Sequence, residues 1–237
     1  VKDFVRKVLF ILGLDITPNQ KMDRLTYRIF RRYLRPDSVA VDIGCHKGEV
    51  LEWIFRFAPR GMHFAFEPLP PLFRRLQNRF AGMNCHFFSI ALSDHSGEAD
   101  FVYVPEAPAY SGLKERDYDG KKVRPQTIRV QVKPLDEVIP ETVLVDLIKI
   151  DVEGAEMQVL RGAEKTIRRS RPLIIFEFGR GASDHYGTTP AEIFQFFTGL
   201  GMSVYSLRSF ENGGEALSVH DLRQDFESGA NYYFAAR

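Results

Sequence analysis

From Val39 onward, short apolar runs alternate with amphipathic helical stretches, and no other feature of the chain narrows its fold as much. Val39 to Ile43 and His63 to Phe66 are brief, bounded and mostly apolar, as buried strands are. Val50 to Phe57 and Leu72 to Phe80 repeat their apolar residues at helical spacing. Strand, helix, strand, helix implies a parallel sheet covered on both faces, because each crossover helix returns the chain to start its next strand in the same direction. The expected fold class is therefore α/β, a doubly wound, mostly parallel, Rossmann-like sheet. The pattern continues with strands at His86–Leu92, Val143–Ile150 and Leu173–Phe178 and helices at Glu156–Ile167 and Pro190–Leu200, then strands at Ser203–Leu207 and Tyr232–Ala235. Glu98–Val104 and Thr127–Lys133 suggest an added antiparallel pair. The polar stretch between them, Pro105 to Gln126, is long for a loop in a compact domain, so it reads either as a substrate-side lid or as a mobile insertion.

Ahead of this unit, Phe4, Val5, Val8 and Leu9, then Leu25, Ile29, Phe30 and Tyr33, predict two short helices separated by a Thr17-Pro18-Asn19 turn. Residues 1–36 thus form an N-terminal helical extension and 37–237 the main domain. Nine Lys and Arg against three Asp in those first 36 residues make the extension basic within a chain of net charge +1. Such a face suits a membrane surface, an acidic partner or plain solvent. No basic stripe interleaved with aromatics runs over the main domain, so nucleic acid is not an expected partner. Two cysteines, Cys45 and Cys85, cannot make a disulfide framework, and no stretch is long enough to span a bilayer; cytoplasmic residence is the expectation.

The strand ending at Ile43 runs into Gly44-Cys-His-Lys-Gly48 and then a helix. In doubly wound sheets ligands bind at such carboxyl ends, where glycines let the backbone approach them. A dinucleotide fingerprint requires a glycine where His46 stands, which weakens a nicotinamide reading. Glu67 ends the second strand roughly 20 residues beyond the turn, where a carboxylate accepts hydrogen bonds from both hydroxyls of a ribose. A nucleoside-bearing cofactor follows; Glu67 as a mere cap before Pro68 is the bland alternative.

Five blocks together resemble a known family: Val-Asp-Ile-Gly-Cys-His-Lys-Gly at 41–48, Phe-Glu-Pro at 66–68, Ala-Leu-Ser-Asp at 91–94 with Gly97, Leu-Asp-Glu at 135–137, and Ile-Lys-Ile-Asp-Val-Glu-Gly-Ala-Glu at 148–156 with Leu160-Arg-Gly-Ala163. They are similar to the FkbM-type methyltransferases over about Val39 to Phe178. The resemblance implies S-adenosylmethionine as cofactor, a class I methyltransferase domain with an antiparallel last strand, and O-methylation of a sugar, glycan or secondary metabolite. It also implies that Asp42, Gly44 and the backbone of Cys45, His46 and Gly48 hold the methionine portion, Glu67 the ribose, and Ala91 and Leu92 the adenine. Asp94 is either a reader of the adenine amine or part of a turn. His46 departs from the family, which often carries Asn there.

Asp151 ends the fourth strand on the face of Lys149, opposite Ile148 and Ile150. An un-ionised alcohol attacks poorly until something takes up its proton, so three roles are open to Asp151: orienting the cofactor amine, accepting that proton, or binding Mg²⁺ together with Glu177 at the end of the next strand. His185 and His95 are alternative bases. Removing the charge with Asp151→Asn is expected to spare the fold. Two rivals remain on this reading, an NAD-dependent oxidoreductase and a non-catalytic cofactor-binding module of the same fold.

Overall fold

The computed structural model describes residues 17–118, 120 and 122–237. The helix expected around Phe4 to Leu9 lies outside them. The Thr17-Pro18-Asn19 turn is the start of helix α1 (Pro18–Tyr33): Thr17 Oγ1 accepts from Gln20 N–H and Gln20 Oε1 accepts from Thr17 N–H, a reciprocal cap, with Pro18 in the first turn.

Seven strands form the main sheet in the order β3-β2-β1-β7-β8-β10-β9. These are β1 (Ala40–Ile43), β2 (His63–Phe66), β3 (Cys85–Phe88), β7 (Leu147–Ile150), β8 (Leu173–Glu177), β9 (Val204–Ser206) and β10 (Tyr233–Ala236). All neighbours pair in parallel except β10, which is antiparallel to both β8 and β9. Helices α2 (Glu49–Phe57) and α3 (Pro70–Arg79) follow β1 and β2, as the alternation predicts.

Strand alternation sorts the two cores. Val41, Ile43, Ile148, Ile150 and Phe176 face one side. Ala40, Leu147, Leu173 and Ile175 face the other, where Met22, Leu25, Ile29 and Phe30 of α1 join Leu51 and Ile54 of α2. Helix α1, the described part of the extension, is therefore part of a core of the sheet. On that same face the register sets Asp42 beside Lys149, both buried.

Three expected elements divide. His86–Leu92 splits into β3 and β4 (Ala91–Leu92); β4 leaves the main sheet and pairs with β6 (Gln126–Lys133), which is antiparallel to β5 (Gly97–Tyr103). Val143–Ile150 shortens to β7, and Asp146 just before it accepts from Val39 N–H through Oδ2 at 2.8 Å. Glu156–Ile167 breaks at Ala163 into α4 (Glu156–Gly162) and α5 (Glu164–Ser170), because Asp136 accepts from the N–H groups of Lys165 and Thr166 at 2.9 and 2.8 Å and so caps a new helix. Helix α6 (Pro190–Gly199) lies where expected. The residues after β9 add α7 (Leu207–Asn212) and α8 (Val219–Ser228). Among the described residues no helix is long and apolar enough to cross a membrane.

Candidate active site

Two adjoining cavities open at the carboxyl ends of β1, β2, β7 and β8, where a doubly wound sheet binds its ligands. The first, of about 130 Å³, runs between Phe66, Glu67, Ile90, Ala91, Leu92 and Leu113. The second, of about 380 Å³, is bounded by α1, the glycine turn, Trp53 and the β7, β8 and β10 strand ends. Gly44, His46, Ala109, Asp151 and Glu153 line both. Anything passing from one ligand to another passes this shared wall.

Gly44 is fixed by sterics: its φ is +80°, and a Cβ there would drive into the carbonyl oxygen of Asp151. That approach brings the β1 and β7 ends together. Gly48 lines neither cavity; a Cβ there would lie 2.6 Å from Phe80 and 2.7 Å from Leu76, so it lets α2 close on α3. The expected amide cradle is committed elsewhere. Gly44 and Cys45 N–H donate to Phe66 O, Gly48 N–H donates to Cys45 O, and His46 N–H donates to Glu67 Oε2 at 2.8 Å. Of the residues expected to hold the cofactor, Gly44, His46, Glu67, Ala91 and Leu92 line the first cavity and Cys45 the second. Asp42 lies behind them, fully buried, with no hydrogen-bond partner on either oxygen among the described residues.

Glu67 also accepts from Leu69 N–H at 3.0 Å. Burial pushes its carboxyl up to about 7, against the pull of these two amides. Each carboxylate oxygen still has a lone pair to offer. Beside it the apolar walls of Ala91 and Leu92 make a slot suited to a flat base.

Asp151 is held by its neighbours. Lys149 Nζ donates to Oδ2 at 2.8 Å, and Tyr233 Oη donates to the same oxygen across the β8–β10 pairing. Burial raises the Asp151 carboxyl, but Lys149 and the hydrogen bonds from Glu177, Lys149 and Tyr233 outweigh it and hold it at about 2. Burial and then Asp151 drive Glu177 the other way, well above the carboxylate range. Glu153, at a left-handed φ of 59°, pairs with Arg116 from the long loop. One oxygen each of Asp151, Glu153 and Glu177 lie within 4.8 Å of one another.

His185 lines neither cavity; its Nε2 stands 3.6 Å from Asp117. His95 pairs with Asp94 at 2.8 Å on an exposed turn, and Asp94 lines neither cavity. The long loop reaches both cavities: Pro108, Ser111 and Leu113 line the first, Tyr110 and Arg116 the second.

A nucleoside-shaped slot opening onto a roomier polar cavity, at the ends of a parallel sheet with an antiparallel strand near its edge, defines a class I methyltransferase. The methyltransferase FkbM domain model matches residues 42–204, well over half of the chain. The chain belongs to the FkbM family of S-adenosylmethionine-dependent methyltransferases, which leaves no place for the oxidoreductase reading. It is 29% identical to the 2-O-methyltransferase NoeI of Sinorhizobium fredii, over 58% of this chain and 62% of NoeI. It is 34% identical to the AMB antimetabolite synthetase AmbE of Pseudomonas aeruginosa, over 61% of this chain and 8% of AmbE. The chain thus spans about three-fifths of one relative and a small part of the other. Among solved structures, an FkbM methyltransferase from Methylobacillus flagellatus superposes with a TM-score of 0.55 at 16% identity, covering 89% of this chain and 48% of that one, a likeness of fold.

Proposed function

We propose that the protein methylates a hydroxyl oxygen of a sugar-like acceptor held in the second cavity. The observation that carries this reading is the lining: the rings of Trp53, Tyr110 and Tyr232 stand with Asn19, Asp23 and Thr26 of α1 around one space. Aromatic faces cover the C–H faces of a sugar ring while amide, carboxylate and hydroxyl groups meet its hydroxyls. The printed activity of NoeI, 2-O-methyl transfer, supports an oxygen acceptor.

The first cavity fits the cofactor, on the grounds that the buried Glu67 carboxylate can accept from a ribose diol and the Ala91–Leu92 slot can take adenine. When bound, S-adenosylmethionine supplies a methyl group on a cationic sulfur, so transfer forms a C–O bond, breaks a C–S bond and releases the hydroxyl proton. Asp151, kept ionised by Lys149 and Tyr233 at the shared wall, is placed to favour positive charge there and to orient the acceptor hydroxyl.

We favour a metal-free balance of charge over Mg²⁺ on Asp151 and Glu177, on the grounds that Lys149 already pairs with Asp151 and Arg116 with Glu153. The test incubates the protein with labelled S-adenosylmethionine and a panel of methyl glycosides of hexoses and 6-deoxyhexoses, with and without EDTA. A mass gain of one methyl on oxygen, unchanged by EDTA, is expected; methylation confined to amines or carbon acids sinks the oxygen reading, and loss of rate in EDTA sinks the charge balance.

A further inference from the structure

An oxygen acceptor needs a group to receive its proton, and the second cavity offers few. Asp151 Oδ2 already accepts from Lys149 and Tyr233, Glu153 is paired with Arg116, and burial beside Asp151 raises the Glu177 carboxyl. Lys149 and Tyr233 are held in their protonated forms, Tyr233 by burial and then by Asp151. Asp23 and Glu49 are engaged by other groups.

His46 differs from all of these. It lines both cavities, and its buried Nε2 has no hydrogen-bond partner among the described residues. The contrast is His63, more deeply buried, whose Nδ1 accepts from Ala40 N–H at 3.2 Å and whose Nε2 faces Ala58 O at 2.8 Å; that ring is fully satisfied and structural. The backbone of His46 stands at φ 49°, a left-handed conformation that non-glycine residues keep chiefly where a site requires it. Its backbone N–H is tied to Glu67, which fixes the main chain at this position. We propose that His46 is the general base: its Nε2 takes the proton of the acceptor hydroxyl as that oxygen bonds the methyl carbon and the carbon–sulfur bond opens, and the imidazolium then returns the proton to water through the second cavity. This rests on the O-methyl reading above.

The surroundings agree with a ring that is neutral at neutral pH. Burial, the largest influence, lowers its titration point; Glu49 and Asp151 raise it, while Lys47 and Lys149 lower it. A base must be unprotonated to act, so the rate should fall on the acid side with a midpoint below the ordinary histidine value of about 6.5.

His46→Asn keeps a residue type that tolerates the left-handed backbone. With the methyl glycoside turned over best by the wild type, it should lower turnover by about 10²–10⁴-fold and abolish the acid limb, with S-adenosylhomocysteine affinity unchanged by calorimetry. A second measurement needs no acceptor: in ring-¹⁵N-histidine spectra with S-adenosylhomocysteine, the signal missing from His46→Asn should be neutral at pH 7 with an unprotonated Nε2. Wild-type turnover in His46→Asn, survival of the acid limb, or an Nε2–H tautomer overturns the proposal. If no glycoside in the panel is methylated, the acceptor reading fails on its own and the tautomer decides the assignment of His46.

Discussion

Asp151→Asn is expected to lower turnover and thermal stability together. The expectation from strand position alone, that this change spares the fold, does not survive the geometry, because Asp151 is the hydrogen-bonded counter-ion of the buried Lys149. Removing one partner of a buried pair leaves the other charge uncompensated, at about 3–5 kcal/mol. The neighbouring Asp42 carboxylate keeps the figure at the low end, and about 3 kcal/mol in a domain of this size lowers Tm by on the order of 6–12 °C. Turnover should fall by about 10²–10³-fold, the scale of losing one preorganised electrostatic contact. The pH dependence has a fixed sign: the folded Asp151 titrates at about 2, below its ordinary value, so its stabilisation is present above 3.8 and is lost as pH falls through about 2. The decisive comparison is Asp151→Asn/Lys149→Met, which removes both charges. It should recover only part of the lost Tm, because the buried Asp42 is left without its cation, and none of the lost turnover. A single variant as stable as the wild type would show that the Lys149 pair contributes nothing to the fold.

The sheet was legible because its central strands are short runs buried on both faces and its helices repeat their apolar residues at period three to four within single segments. Glu67 and Asp151 were legible for the same reason, each being the first acid after an apolar run. What escaped depends on contacts between distant segments. Tyr233 meets Asp151 only because β10 runs antiparallel to β8 with Tyr233 opposite Glu177, a register no local pattern encodes. Arg116 is one basic residue among several in a polar loop until the fold sets it on Glu153. Asn19, Asp23 and Thr26 look like the solvated side of a basic helix, yet they line the second cavity because α1 packs its apolar side on the sheet core. Other misses had signals. Ser218-x-x-Asp221 is a capping box announcing α8, and Asp136 stands ready to cap a helix that a continuous periodicity count ran straight through.

Glu67 should link S-adenosylhomocysteine affinity to pH near neutrality, in the opposite sense to the stability of the protein alone. Burial raises this carboxyl from 4.5 to about 7, so in the free protein the uncharged form is favoured; the corresponding stabilisation is complete below 4.5 and is lost as pH rises through about 7. A ribose diol presents two O–H donors, which bind the ionised form better, so affinity should rise over the same interval while Tm of the free protein falls. Glu156, also raised by burial to about 7, adds to the stability trend from outside the nucleoside slot, whereas only Glu67 should carry the affinity trend. Glu67→Gln keeps the size and the acceptor oxygen for one amide but cannot ionise, so calorimetry from pH 6 to 8 should give it weak and flat binding. Glu67→Ala removes both hydrogen bonds to the ribose, about 1.5–3 kcal/mol each, or about 10²–10⁴-fold in Kd. It also strands the amides of His46 and Leu69, so part of its loss belongs to the turn, and the pH slope of the wild type against Glu67→Gln separates the two. A wild-type affinity that is flat across this range, or one that rises equally in Glu67→Gln, would take the ribose contact away from Glu67.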